Sequence, residues 1–173
     1  LMQKCIKSWK QLLPDYEIKK WNEKNIPNDY VFVKNCVRSK SWAKLSDFVR
    51  LWVLIREGGI YFDTDIEVIK NFDVFLSDSC FLGFQEHYIC SECINNAVLG
   101  AEKGNIFIKE AFQYLQSNFD GTEIAHLSGP YFLSKLLIDK GLKDYSGDKV
   151  RIDDVCIYPK EYFYPIAWGE KFS

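Results

Sequence analysis

Ser46-Asp47-Phe48-Val49-Arg50, then Gly58-Gly59-Ile60-Tyr61-Phe62-Asp63-Thr64-Asp65, is the stretch that decides the fold. Leu45, Phe48, Val49, Trp52 and Ile55 recur at helical spacing, so Trp42 to Arg56 reads as a helix with a broad apolar face. Gly58-Gly59 ends it, one glycine taking the left-handed C′ position. Ile60 to Ile69 follows as a strand, interrupted at the aspartates. Strand alternation would put Tyr61, Asp63, Asp65 and Glu67 on one side and Ile60, Phe62 and Thr64 on the other. Carboxylates so close on one face repel one another unless a cation sits between them. Hard oxygen ligands suit Mg²⁺ or Mn²⁺, commonly shared with a substrate's phosphates.

Asp47 and Arg50 stand at i, i+3 and share a helix face. On their own they would be a surface ion pair worth a few tenths of a kcal/mol. The glycine pair alone is a helix stop, and an isolated Asp-x-Asp is common. The order is what carries meaning: acid and arginine, helix end, glycine pair, aromatic, then two aspartates.

The rest of the chain sets the class. Its 173 residues make a single domain, long enough to bury roughly two-thirds of the unfolded surface. A formal charge of −2 argues against nucleic-acid binding, which needs a basic surface. An aromatic content of 16% fits a thick core and is also common where rings are stacked against. No apolar run reaches membrane-spanning length. Leu1 to Leu13 carries Lys4, Lys7 and Lys10 and does not read as a signal peptide. Cys90-Ser91-Glu92-Cys93 is one C-x-x-C with His87 just before it. A closed zinc site needs four ligands, so the six cysteines read as reduced thiols. Neither His87 nor His126 stands out as catalytic.

Met2 to Leu13 reads as a helix stopped by Pro14-Asp15, and Tyr16 to Trp21 as a short strand. Asn22 to Asn28 is a polar turn. Phe81 to Phe84 is a strand, and Ile106 to Phe119 and Tyr131 to Lys140 are helices, the second opening after Gly129-Pro130. Val150 to Ile152 and Val155 to Tyr158 complete an interleaved α/β pattern. The chain opens within a helical pattern and stops soon after an aromatic, proline-containing segment. It is expected to be a fragment truncated at both ends.

Ala43-Lys44-Leu45-Ser46-Asp47-Phe48-Val49-Arg50 with Gly58-Gly59-Ile60-Tyr61-Phe62-Asp63-Thr64-Asp65 closely resembles glycosyltransferase family 32, the D-x-D sugar transferases. These include initiating α-1,6-mannosyltransferases and capsular polysaccharide enzymes, and share a core with the clostridial toxin glucosyltransferases. Ser8-Trp9, Pro14 to Ile18, Trp21-Asn22, Asn95 to Ala97, Gly129-Pro130 and Tyr158-Pro159 extend the likeness more loosely. The resemblance implies a GT-A type nucleotide-diphospho-sugar transferase fold with a Rossmann-like mixed sheet. It implies a UDP- or GDP-linked sugar donor, Mn²⁺ or Mg²⁺, a glycan or lipid-linked acceptor, and retention of anomeric configuration. Surface polysaccharide synthesis is the expected role.

Carried onto this sequence, Asp65 becomes the direct metal ligand, with Asp63 nearby or reaching the ribose. Asp47 and Arg50 would hold the donor sugar. Tyr61 is read equally as a nucleotide contact or as core, and Gly58 and Gly59 as points of close backbone approach. Asn95 and Asn96 would line the acceptor side or form a turn. No residue is singled out as a nucleophile. The family pattern further implies a strand before Leu1 and a segment after Trp168 that contacts metal or diphosphate.

Three other readings compete. A haloacid dehalogenase-type phosphatase also uses Asp-x-Asp, but Glu67 stands where a Thr or Val belongs. A calcium loop would need a twelve-residue acidic pattern that is missing. A non-catalytic or degenerate sugar-nucleotide-binding module remains the alternative from another class, although Asp47, Arg50, Asp63 and Asp65 are all present. The expected setting is cytoplasmic, membrane-peripheral at most, with the Golgi lumen as the alternative.

Overall fold

The computed structural model describes residues 1–86, 93–143 and 147–165. In chain order the elements are α1 (Met2–Leu12), α2 (Val31–Ser39), α3 (Trp42–Glu57), β1 (Gly59–Phe62), β2 (Cys80–Phe84), β3 (Ile94–Ala101), α4 (Ile106–Asn118), α5 (Pro130–Asp139), β4 (Val150–Ile152), β5 (Val155–Tyr158) and α6 (Lys160–Phe163). Short 3-10 turns lie at Asp73–Phe75 and Ala125–Ser128.

Five strands form one mixed sheet in the order β1-β3-β2-β5-β4. β3 runs antiparallel to both β1 and β2, β5 lies parallel to β2, and β4 closes a hairpin with β5. Two apolar clusters fill the molecule. Helices α2, α3, α4 and α5 pack with Leu82, Phe84, Ile94 and Leu99 of the sheet in one. Helix α1, the 66–75 loop and Phe81, Val98 and Tyr158 make the other. Layers of helix on a mixed sheet are the α/β architecture expected from the sequence.

β3 is irregular where the site forms. Phe81 pairs with Gly100, but Gly83 pairs with Asn95, so four β3 residues oppose Leu82 alone. A bulge of this kind bends the strand and frees backbone groups that must find other partners. Gly100 carries no β-carbon because a Cβ there would lie 2.1 Å from the Phe81 ring.

Several expected boundaries are corrected. β1 ends at Phe62 instead of running to Ile69, because the Ile66 amide donates to the Asp63 carbonyl at 3.1 Å and closes a turn. Tyr61, Asp63, Asp65 and Glu67 therefore do not share one strand face. Tyr16 to Trp21 forms no strand. Tyr16 packs on the second apolar cluster and donates to Asp73 Oδ1 at 2.7 Å, and Trp21 lies edge-on to Trp52 at 5.8 Å. Both glycines after α3 take positive φ, 70° at Gly58 and 99° at Gly59, and Gly58, with ψ −164°, lies outside the left-handed helical region. Asn95 and Asn96 lie in β3, not in a turn. α2 and α6 were not expected at all. Cys90 and His87 fall outside the described residues, while Cys5, Cys36, Cys80 and Cys156 are buried thiols.

Candidate active site

α3 carries Asp47 and Arg50 into the interior, where they are 6% and 3% exposed. A charged pair is tolerated there only because its polar atoms are met. Arg50 Nη2 lies 3.1 Å from Asp47 Oδ1 and 3.3 Å from Asp63 Oδ1, so one guanidinium joins the helix acid to the first aspartate of D-x-D. Its Nε donates to the Ser46 carbonyl at 3.1 Å, Nη2 to Ser46 Oγ at 2.8 Å, and Nη1 to the Asn96 carbonyl. The guanidinium also lies 4.7 Å from the centre of the Tyr61 ring.

Asn96 Nδ2 donates to Asp47 Oδ1 at 3.0 Å. Gly129 closes the other side of this acid, where a Cβ would lie 2.9 Å from both carboxylate oxygens. Asp47 Oδ2 receives no hydrogen bond from the described residues, and Asp47 lines the cleft. Burial pushes the Asp47 carboxyl up to about 7, against the opposing pull of Arg50 and the Asn96 amide. The Arg50 guanidinium stays charged: burial works against it, but Asp47, Tyr61 and Asp63 prevail.

Tyr61 Oη donates to Asp63 Oδ1 at 2.7 Å, so its hydroxyl orients the aspartate while its ring covers Arg50. Burial raises the Tyr61 phenol, and the phenol remains a donor. The Asp63 amide donates to the Ala97 carbonyl at 2.8 Å, tying the D-x-D turn to the β3 bulge. Asp65 follows in the turn, exposed, and lines the same cleft. That cleft is open and about 1500 Å³ in volume, running from the aspartates along the unpaired edge of β1 to α1.

No cluster of three metal-binding side chains occurs among the described residues. The donor set is nevertheless one that Mg²⁺ or Mn²⁺ accepts. Asp65 is an exposed carboxylate on the cleft, and Asp63 is half-turned toward it with a side chain 32% exposed. These ions usually take one or two carboxylates and complete their shell with substrate phosphates and water.

The structure thus gathers Asp47, Arg50, Tyr61, Asp63, Asp65 and Asn96 on one cleft, with Gly59 at the foot of β1. Both asparagines that the sequence grouped line this cleft, but with different partners. Asn96 faces the Asp47–Arg50 pair, whereas Asn95 Nδ2 donates to Gln85 Oε1 at 2.8 Å and its Oδ1 accepts from the Ala97 amide at 2.8 Å. Tyr164 was missed. It lines the cleft, and its hydroxyl accepts from the Val98 amide at 2.8 Å. No local periodicity marks it, because its partner lies far away in the chain.

Two family models match: the glycosyltransferase sugar-binding region containing the DXD motif over residues 1–82, and the alpha 1,4-glycosyltransferase conserved region over residues 100–171. Lactosylceramide 4-alpha-galactosyltransferase of Mus musculus is 34% identical over 125 residues, 72% of this chain and 32% of that protein. Inositol phosphoceramide mannosyltransferase 3 of Schizosaccharomyces pombe is 28% identical over 141 residues, 74% of this chain and 38% of that protein. This chain therefore spans about a third of the length of such relatives. Among solved structures the PaToxG glycosyltransferase superposes with a TM-score of 0.52 at 23% identity, covering 71% of this chain and 45% of that one, a likeness of fold. The mixed sheet is thus a GT-A-like sheet, and the D-x-D turn on its cleft belongs to the region that the first model describes. By its motif, its fold and its relatives, the chain belongs to the glycosyltransferases that contain the D-x-D motif.

Proposed function

We propose that residues 1–173 form one GT-A-type domain of a retaining glycosyltransferase. It would move a sugar from a UDP- or GDP-linked donor to a glycan or lipid-linked acceptor. The observation that carries this reading is the buried Asp47–Arg50–Asp63 chain, which ends beside an exposed Asp65 on an open cleft.

Each residue has a task. Asp47 Oδ2 accepts from a donor-sugar hydroxyl, while Arg50 fixes the acid and presents positive charge toward the sugar–diphosphate linkage. Tyr61 keeps Asp63 turned toward Arg50. Asp65, with Asp63, would hold Mn²⁺ or Mg²⁺, which when bound supplies a Lewis acid for the negative charge that develops on the leaving diphosphate. At an effective dielectric near 20, a unit charge pair at about 4 Å is worth ~4 kcal/mol. That is roughly three orders of magnitude in rate if it is realised in the transition state.

The galactosyltransferase and mannosyltransferase relatives name ceramide lipids as what they act on, and this supports a lipid-linked acceptor here. The surface-polysaccharide role is the other setting for the same chemistry. A lipid-linked acceptor would place the enzyme at a membrane surface, on the cytoplasmic or the Golgi-lumen side according to which face carries the acceptor headgroup.

The test is calorimetry of the protein with Mn²⁺ and UDP or GDP, comparing wild type with Asp65→Ala. Metal-dependent nucleotide binding that weakens at least about tenfold in the variant, ~1.4 kcal/mol or more, is expected. Binding indifferent to both metal and substitution would overturn the assignment.

A further inference from the structure

Along the bulged stretch of β3, four backbone groups are met by residues that line the cleft. The Asn96 carbonyl accepts from Arg50, and the Ala97 amide donates to Asn95 Oδ1. The Ala97 carbonyl accepts from the Asp63 amide, and the Val98 amide donates to Tyr164 Oη. The bulge is therefore the frame on which Arg50 and Asp63 are held, and Tyr164 is the part of that frame supplied from the far end of the chain.

The Tyr164 ring has a fixed seat. It lies over Gly83, where a Cβ would come within 3.2 Å of it, and beside Phe163 at a ring-centre distance of 6.1 Å. Phe163 is in turn packed on Phe72, Phe75 and Phe81. Burial keeps the phenol protonated, with the Val98 amide and the Arg50 charge acting in the opposite direction. A tyrosine that accepts one bond and keeps its proton holds the Val98 amide in place without competing for Arg50.

We propose that Tyr164 is a positioning residue for the donor sugar, acting through the β3 bulge on Asp47, Arg50 and Asn96. The inference rests on the donor-site reading above. Its logic is geometric. Asn96 meets the Asp47–Arg50 pair through both its side-chain amide and its carbonyl, so a shift of the bulged backbone moves both contacts together. Asp65 lies within the turn and shares no hydrogen bond with the bulge among the described residues, whereas Asp63 is joined to it by one backbone bond, so metal and diphosphate binding respond to that shift less than the doubly tied Asp47–Arg50 pair. Loss of the Tyr164 hydroxyl would therefore be felt more by the sugar than by the nucleotide.

Tyr164→Phe removes the hydroxyl and keeps the ring. Affinities for UDP-galactose, UDP-glucose and GDP-mannose are compared by calorimetry in Mn²⁺ with those for UDP and GDP, for wild type and variant. The ratio of sugar-nucleotide to nucleotide affinity is expected to fall about tenfold, ~1.4 kcal/mol, with the free-nucleotide affinity changing less. Phe163→Leu is the control for packing, because it loosens the same aromatic seat and leaves the hydroxyl. It should lower the melting temperature and leave the ratio unchanged. An unchanged ratio in Tyr164→Phe overturns the proposal, as does an equal change in Phe163→Leu. A wild-type protein that binds neither nucleotides nor sugar nucleotides overturns the donor-site reading itself, and this proposal with it. A merely structural role would weaken every ligand alike.

Discussion

Asp47 shows how much one buried side chain decides. Its carboxyl, normally near 3.8, is pushed up to about 7 by burial, because Arg50 and Asn96 only partly offset the loss of water. The folded, ligand-free protein thus holds this proton more tightly than the unfolded chain does. The contribution to stability is fully present below pH 3.8 and is lost as pH rises through about 7. In the proposed donor site a sugar hydroxyl would be accepted by the ionised form, so donor affinity is expected to run the opposite way and climb through about 7. Calorimetric titration of donor across that range should show this acid limb in wild type and a flat, roughly tenfold weaker response in Asp47→Asn. No local signal marks the pair as buried, since i, i+3 acid and arginine usually lie on a surface. The ordered motif named Asp47, Arg50, Asp63 and Asp65. The partnership of Asn96 with Asp47 and the seat of Tyr164 are long-range and left no local trace.

Elements with strong internal periodicity or clear punctuation were legible. α3, α4 and α5 follow their apolar spacing, and α5 starts at Pro130, as a proline in the first turn permits. β4 and β5 match the short β-branched runs at Val150–Ile152 and Val155–Tyr158. α2 was not expected, because the buried stripe of Phe32, Val33 and Cys36 is masked by its polar neighbours. β3 was hidden for a physical reason. Ile94-Asn95-Asn96-Ala97 looks like a turn, and pairing with β1 and β2 on both flanks overrides that preference. Tyr16 to Trp21 failed in the converse way, because alternation without an adjacent strand leaves the backbone nothing to pair with. Gly100 belongs to this scale. Gly100→Ala would drive a methyl into the buried Phe81 ring and should cost about 1–3 kcal/mol of stability, read as a lower urea midpoint.

At the scale of the whole molecule, Asp78 ties the start of β2 to the β4–β5 hairpin. Its buried carboxylate accepts from Tyr158 Oη at 2.6 Å, Arg151 Nη2 at 2.8 Å, Cys156 Sγ at 3.0 Å and Lys149 Nζ at 3.2 Å. Burial alone would raise this acid, but the bonds from Cys156, Tyr158 and Lys149 win and hold it down at about 2. Its contribution is therefore present above the usual 3.8 and lost as pH falls through about 2. Asp78→Ala would strand several donors and is expected to lower stability by ~2–3 kcal/mol in chemical denaturation, with the nucleotide site unaltered. The parallel pairing of β2 with β5 adds a temporal consequence. Strands so far apart in sequence meet only after a long loop has closed, an entropic cost that makes such topologies slow to form. The D-x-D turn is synthesised well before Tyr164, which latches the bulge behind it. A nascent chain stalled between these points would display the acidic turn without its supporting frame, so the proposed sugar site would be completed only once Tyr164 has been added.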